Sequence, residues 1–272
     1  TKLTSKIREL FEEEWEVPEF NLELWQPKSH KYCLIIPVLN EGDKFKLLIK
    51  RIYKNSLHKI LDIYIVDGGS SDGSIETNFL IDNFVTGILF KKGGGKLSSQ
   101  LRIGYAFAIA KNYKGVITID GNNRDDPSSI PLFIKYLNEG FDFLQASRFL
   151  HGGSHKNTPL IRHFAIKLIH SKLLSLSSGF KWTDTTQGYR GYSSYFLKSE
   201  KVKIFRNIFN TYELLAYLSY IGPKLGFRCK EVATTRNYTK GVISSKIKGV
   251  IGHIAIFNIL ISSCLGLYNP KK

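Results

Sequence analysis

Tyr32-Cys-Leu-Ile-Ile-Pro-Val38 is a continuous apolar run, succeeded at once by the polar pair Asn40-Glu41. A run of this kind reads as a β-strand buried on both faces, as in parallel sheets. Helical and extended segments then take turns along the chain. Glu41–Asn55 places Phe45, Leu48, Ile49 and Ile52 at helical spacing, and Leu61–Val66 is again a strand. Ser74–Phe84 has helical character, Gly87–Phe90 is a short strand, and Leu97–Asn112 is a helix. Val116–Ile119 is a strand, Pro127–Asn138 a helix with proline at its start, and Phe141–Ala146 a strand. Strands alternating with helices predict an α/β chain with a mostly parallel central sheet flanked by helices.

Ligands of an open parallel sheet sit beyond the carboxyl ends of its strands. Three polar clusters fall there: Asn40-Glu41 after the first strand, Asp67 to Asp72 after the second, and Asp120 to Asp126 after the fourth. Their recurrence predicts one shared site. A carboxylate just past a buried strand loses hydration unless a cation or hydrogen bonds compensate. A hard divalent cation holding a diphosphate would do so at Asp120, while Asp126 before Pro127 suits a helix cap. Gly93-Gly-Gly-Lys96 is not a P-loop, because Phe90 stands at the first glycine position and Leu97 where Ser or Thr is needed. It fits either a plain loop or a backbone that lets a ligand approach, with Lys96 and Arg102 nearby.

Upstream, residues 1–31 read as an N-terminal arm packed on the core, with a polar helix over Lys2–Trp15. Five glutamates between positions 9 and 16, with no apolar stretch, do not make a secretory signal. Downstream of residue 150 the rhythm changes. A loop at His151–His155 precedes a helix from Thr158 to about Ser178, stopped by Gly179; Glu213–Tyr220 is a helix and Phe227–Thr234 an edge strand. Val250–Leu267 reads as an amphipathic helix whose polar face carries Gly252, Asn258, Ser262, Ser263 and Gly266.

The 272 residues carry a net charge of +16, with 43% hydrophobic and 23% charged side chains, so the chain can bury a core and calls for an acidic partner. Cys33, Cys229 and Cys264 are far apart, which supports neither a disulfide framework nor a cysteine zinc module and suits a reducing compartment. The histidines do not converge with a third ligand into a zinc site. Nucleic acid would explain the charge but not three acidic strand-end loops, so no nucleic-acid partner is expected.

Five motifs occur in order: Pro37-Val-Leu-Asn-Glu41, Val66-Asp-Gly-Gly-Ser-Ser-Asp-Gly73, Asp120-Gly-Asn122, Ser147-Arg-Phe149 and Asp184-Thr-Thr-Gln-Gly-Tyr-Arg-Gly-Tyr192. Together they resemble family 2 inverting glycosyltransferases, closest to the dolichyl- or polyprenyl-phosphate mannosyl- and glucosyltransferase branch. The resemblance runs over about residues 32–248, which divide into a nucleotide-sugar half (32–149) and an acceptor half (150–248), with 249–272 as a C-terminal helix and tail. It implies a GT-A (Rossmann-like) fold, a nucleotide-diphosphate sugar donor and Mg2+ or Mn2+. Pro37, Asn40 and Glu41 match the nucleoside motif, Asp67 the carboxylate that reads the base, with Asp72 in the same loop, and Asp120 the first acid of the DxD motif. The third position of that motif is Asn122, one charge fewer, and Arg124 can partly replace the missing cation charge at the diphosphate. Arg148, Arg162 and Arg190 match arginines of the same branch and are expected at the acceptor; Arg236, Gly241, Ser245 and Lys246 match a loop that closes on the donor.

The expected acceptor is a polyprenyl phosphate, an anion that needs no general base. Hydroxyl-acceptor relatives often carry Glu-Asp before a late helix, and here only Glu213 is present, with Asp184 in reserve. The alternatives are a glycan hydroxyl acceptor, with Glu213 or Asp184 as base, and a non-catalytic nucleotide-sugar or nucleic-acid binder. Lys240, Lys246, Lys248, Lys271 and Lys272 around the tail helix point to an anionic membrane surface, hence a cytoplasmic protein peripheral on the cytoplasmic face of a membrane.

Overall fold

The computed structural model describes residues 2–158, 165–238 and 249–271. The arm begins as a helix over Lys2–Arg8 (α1), shorter than the stretch expected to Trp15, and continues into a strand, Phe20–Leu24 (β1). Then come Tyr32–Val38 (β2), Asp43–Lys54 (α2), Asp62–Asp67 (β3), Thr77–Asp82 (α3), Gly87–Lys91 (β4), Leu97–Ala110 (α4) and Gly115–Thr118 (β5). A 3-10 turn at Pro127–Ser129 leads into Ile130–Asn138 (α5), with Phe143–Ser147 (β6) and Ser154–Lys156 (β7) beyond it. A π-helical stretch, Ala165–His170, runs into Ser171–Ser178 (α6). The chain closes with Arg190–Ser193 (β8), Ser194–Leu197 (α7), Glu213–Lys224 (α8), Cys229–Ala233 (β9), Thr235–Asn237 (β10) and Gly249–Cys264 (α9).

Eight strands form one sheet in the order β1-β4-β3-β2-β5-β8-β6-β9. β2, β3, β4 and β5 are parallel, and β6 pairs parallel with β9. Two strands run the other way. β1 caps the edge against β4, so the arm is built into the sheet rather than laid on it. β8 lies between β5 and β6 and is antiparallel to both. Its sequence, Arg190-Gly-Tyr-Ser193, has neither an apolar run nor alternation, and the strand was not expected. Its neighbours on both sides bury it. β7 and β10 pair in a separate two-stranded sheet.

The apolar residues of α4, α6 and α8 cover one sheet face and those of α2 and α5 the other. Strand order reverses at β2, which has β3 on one side and β5 on the other, so a crevice opens above the β2–β5 pair. Gly121 lets the loop after β5 pass close to the end of β2: a Cβ there would lie a tight 3.1 Å from the Pro37 carbonyl oxygen. Gln100 from α4 clamps the same end, its Nε2 donating to the carbonyls of Val38 (2.9 Å) and Val66 (2.8 Å).

The C-terminal helix differs from the expected amphipathic one. Ser263 is fully buried with Leu260, and its hydroxyl donates to the Ile259 carbonyl of its own helix, which removes the cost of facing the core. Ile254 and Phe257 are exposed instead, as is Leu176 on the neighbouring α6. The outward surface here therefore carries apolar side chains beside the exposed His253 and Asn258.

Candidate active site

The carboxyl ends of β2, β3, β4, β5, β6 and β9 all open on one side, and the antiparallel β8 starts there. This topology gathers Asn40, Asp67, Lys91, Asp120, Arg148 and Arg236 from positions up to 196 residues apart.

The loops after β2 and β3 hold each other. Asn40, at φ +50°, accepts a hydrogen bond from the Ser71 N–H through its side chain (2.8 Å), and its own N–H donates to the Ser70 hydroxyl. Asp67 accepts from the N–H groups of Gly69 and Ser70, an Asx turn that fixes the loop. Asp72 accepts from the Ser74 N–H and hydroxyl, and the same hydroxyl oxygen accepts from the N–H groups of Glu41 and Gly42. Lys91, unnoticed in the sequence, donates to the carbonyls of Gly93 and Gly94. Burial lowers its pKa, and the charge of Asp67 opposes that shift.

The loop after β5 carries most of the charge. Asp120 is partly exposed and Asp125 fully buried; the Arg236 guanidinium stands between them, 2.6 Å from Asp125 Oδ2 and 3.4 Å from Asp120 Oδ2. Gly188 packs on Asp120, and any Cβ there would collide with Oδ1. Asn122 Oδ1 accepts from the Arg124 N–H, and Asp126 caps the adjoining turn as expected, accepting from Ser128. Arg51 of α2 braces the loop through Asn123, the Asp125 carbonyl and Asp126. Tyr238, also missed, is ringed by three guanidiniums: Arg124, Arg148 and Arg236 lie 4.7, 6.0 and 5.7 Å from its ring centre.

Three arginines expected at ligands face the protein instead. Arg148 is buried and pairs with the equally buried Asp184 at 2.7 Å, with further bonds to Tyr238 and Thr186. Asp184 accepts as well from Gln187 and from the Thr186 N–H, so its carboxylate is engaged within the protein. Arg190, fully buried, donates to the carbonyls of Gln187, Leu215 and Thr185. Arg102 lies under the arm and donates to the Glu16 carbonyl. The cause is common to Arg148 and Arg190: a buried guanidinium must meet several acceptors, which the loop of residues 184–187 supplies to both, with the Leu215 carbonyl added for Arg190. Glu231 fixes the same region, accepting from the N–H groups of Thr183 and Asp184; burial raises its pKa against those bonds. His170, bonded to Thr185, is pulled down to about 4, chiefly by burial and then by the Arg190 charge.

Lys96 is exposed at the start of α4, its ammonium 5.5 Å from the Tyr212 ring centre. Glu213 heads α8 and accepts from the Thr211 N–H and hydroxyl. Arg162, Gly241, Ser245 and Lys246 lie outside the described residues, as do Lys240 and Lys248.

The Glycosyl transferase family 2 profile matches residues 33–200, more than half of the chain and all five motif regions. The chain belongs to that family. It is similar to polyprenol monophosphomannose synthase of Mycolicibacterium smegmatis, 24% identical over 60% of this chain and 62% of that one. It is also similar to undecaprenyl-phosphate 4-deoxy-4-formamido-L-arabinose transferase of Proteus mirabilis, 30% identical over 44% and 38%. The chain thus spans between about two fifths and three fifths of the length of these relatives. Among solved structures, glucosyl-3-phosphoglycerate synthase of Mycobacterium tuberculosis superposes with a TM-score of 0.58 at 16% identity, covering 89% of this chain and 81% of that one. The same enzyme with Mn2+, UDP-glucose and phosphoglyceric acid gives 0.56 at 15% identity and the same coverage. The glycosyltransferase domain therefore has the GT-A fold that the motifs implied.

Proposed function

We propose that this chain is an inverting hexosyltransferase that moves a hexose from a nucleotide-diphosphate sugar to a polyprenyl phosphate. The observation that carries the reading is the convergence of Asn40, Asp67 and Asp120 at the ends of three neighbouring parallel strands, in a family whose similar members are named for polyprenyl-phosphate acceptors. Asn40 and Glu41 border the nucleoside and Asp67 reads the base. Arg124 and Arg236 face the diphosphate and balance its charge as it leaves. An oxygen of the acceptor phosphate attacks the anomeric carbon as the bond to the diphosphate breaks, which inverts that carbon.

Asp120 and Asn122 fit a hard divalent cation only in part. They offer one carboxylate and one amide oxygen, and that oxygen already accepts from Arg124. Mg2+ or Mn2+ binds through one or two such groups when substrate phosphates supply the rest, so the donor set fits a cation carried with the diphosphate. Bound there, the cation would neutralise the leaving diphosphate. With Arg148 and Arg190 turned inward, Arg162 is left from the sequence reading as the arginine for the acceptor phosphate.

Glu213→Gln tests the acceptor. Its carboxylate is engaged by Thr211, and a phosphate acceptor needs no base, so transfer to polyprenyl phosphate is expected to stay within a few-fold of wild type in assays across a panel of nucleotide sugars. A loss of about 10²–10⁴-fold with donor affinity intact would mark Glu213 as a general base and the acceptor as a hydroxyl.

A lipid acceptor also demands a membrane surface. Among the described residues no helix is long and apolar enough to cross a membrane. The exposed Ile254, Phe257 and Leu176, on a chain of net charge +16, suit the face of an anionic bilayer. The protein is expected to sediment with vesicles containing anionic lipid, less so at high salt. Equal recovery in the supernatant with and without vesicles would remove the membrane from the reading.

A further inference from the structure

Arg236 is held by an uneven pair of carboxylates. Its bond to Asp125 is short and fully buried; its contact with Asp120 is long and partly exposed. The backbone fixes this arrangement, with Asp125 and Arg236 bridged, the Asn237 N–H donating to the Arg124 carbonyl, and the Asp126 N–H to the Thr235 carbonyl. The strong end anchors the guanidinium, so the weak end can let go of Asp120 without unmaking the loop. Asp126 is tied to Arg51 and Ser128, and Asn122 brings no charge. Asp120 is thus the carboxylate of this loop left open to a ligand, and a cation of the protein's own already stands beside it.

We propose that Arg236 fills the cation's place beside Asp120 while no donor is bound, so that a divalent ion enters only together with a diphosphate. The diphosphate supplies the missing oxygens and draws the guanidinium to itself. Arg236 then couples the two ligands, each binding better in the presence of the other. The inference rests on the assignment of Asp120 to the cation.

Mn2+ binding to the full chain, monitored by electron paramagnetic resonance with and without inorganic pyrophosphate, tests both levels separately. Wild type is expected to bind Mn2+ alone weakly and at least about tenfold more tightly with pyrophosphate. Arg236→Gln removes the competing charge and is expected to bind Mn2+ alone about tenfold more tightly than wild type, with most of the pyrophosphate effect lost. Arg236→Lys, which keeps the charge, stays near wild type. Arg236→Gln leaves Asp125 without its partner, so Asp125→Asn/Arg236→Gln is measured beside it and stands in for it if the single variant does not fold. The tightening must persist in the double variant; if it vanishes there, the ion had moved to Asp125 and the proposal fails. Mn2+ affinity no higher than wild type in a folded Arg236→Gln or in the double variant overturns it too. Retention of Mn2+ by Asp120→Asn would instead overturn the cation assignment itself.

Discussion

Asp120→Ala is expected to lower sugar transfer by at least about 10³-fold, the scale of losing a charge-stabilising group that acts on the leaving group. The fold should survive. Asp120 is partly exposed and its contact with Arg236 is long, so losing it costs less than breaking the short, buried pair of Arg236 with Asp125. Arg236 keeps its short bond to Asp125, whose pKa is raised first by burial, and removing Asp120 takes away a like charge that adds to that rise. The measurement pairs turnover with thermal unfolding by circular dichroism. Near-wild-type turnover in a folded variant would detach Asp120 from the chemistry.

Arg148→Ala should act in the opposite way, through stability first. Arg148 and Asp184 are both almost fully buried and 2.7 Å apart, and deleting one partner leaves a charge with neither water nor counter-ion. Breaking such a pair costs about 3–5 kcal/mol. In a chain of this size that lowers the melting temperature by roughly 10 °C. Adding Asp184→Asn removes the stranded charge and should recover part of the loss, which chemical denaturation of the single and double variants would measure. Unchanged stability in Arg148→Ala, with only acceptor affinity reduced, would return Arg148 to the ligand-facing role its motif suggested.

The sequence by itself determined the parallel half of the molecule. Tyr32–Val38, Leu61–Val66 and Val116–Ile119 are buried on both faces, so their composition reports their environment with no knowledge of neighbours. The loops after them were legible for the same local reason, because polar residues directly after a buried strand have one place to go. β1 and β8 were not legible. Arg190-Gly-Tyr-Ser193 becomes a strand because β5 and β6 flank it, and Phe20–Leu24 because β4 has a free edge. The arginines show the limit most clearly. Arg148, Arg190 and Arg236 are alike in sequence, each a cation in a matching motif. Which of them meets a ligand depends on carboxylates and carbonyls 36, 25 and 116 residues away. A guanidinium takes the acceptors that packing brings to it, and only the tertiary structure decides whether Asp184, the Leu215 carbonyl or an open crevice beside Asp120 is there to be met.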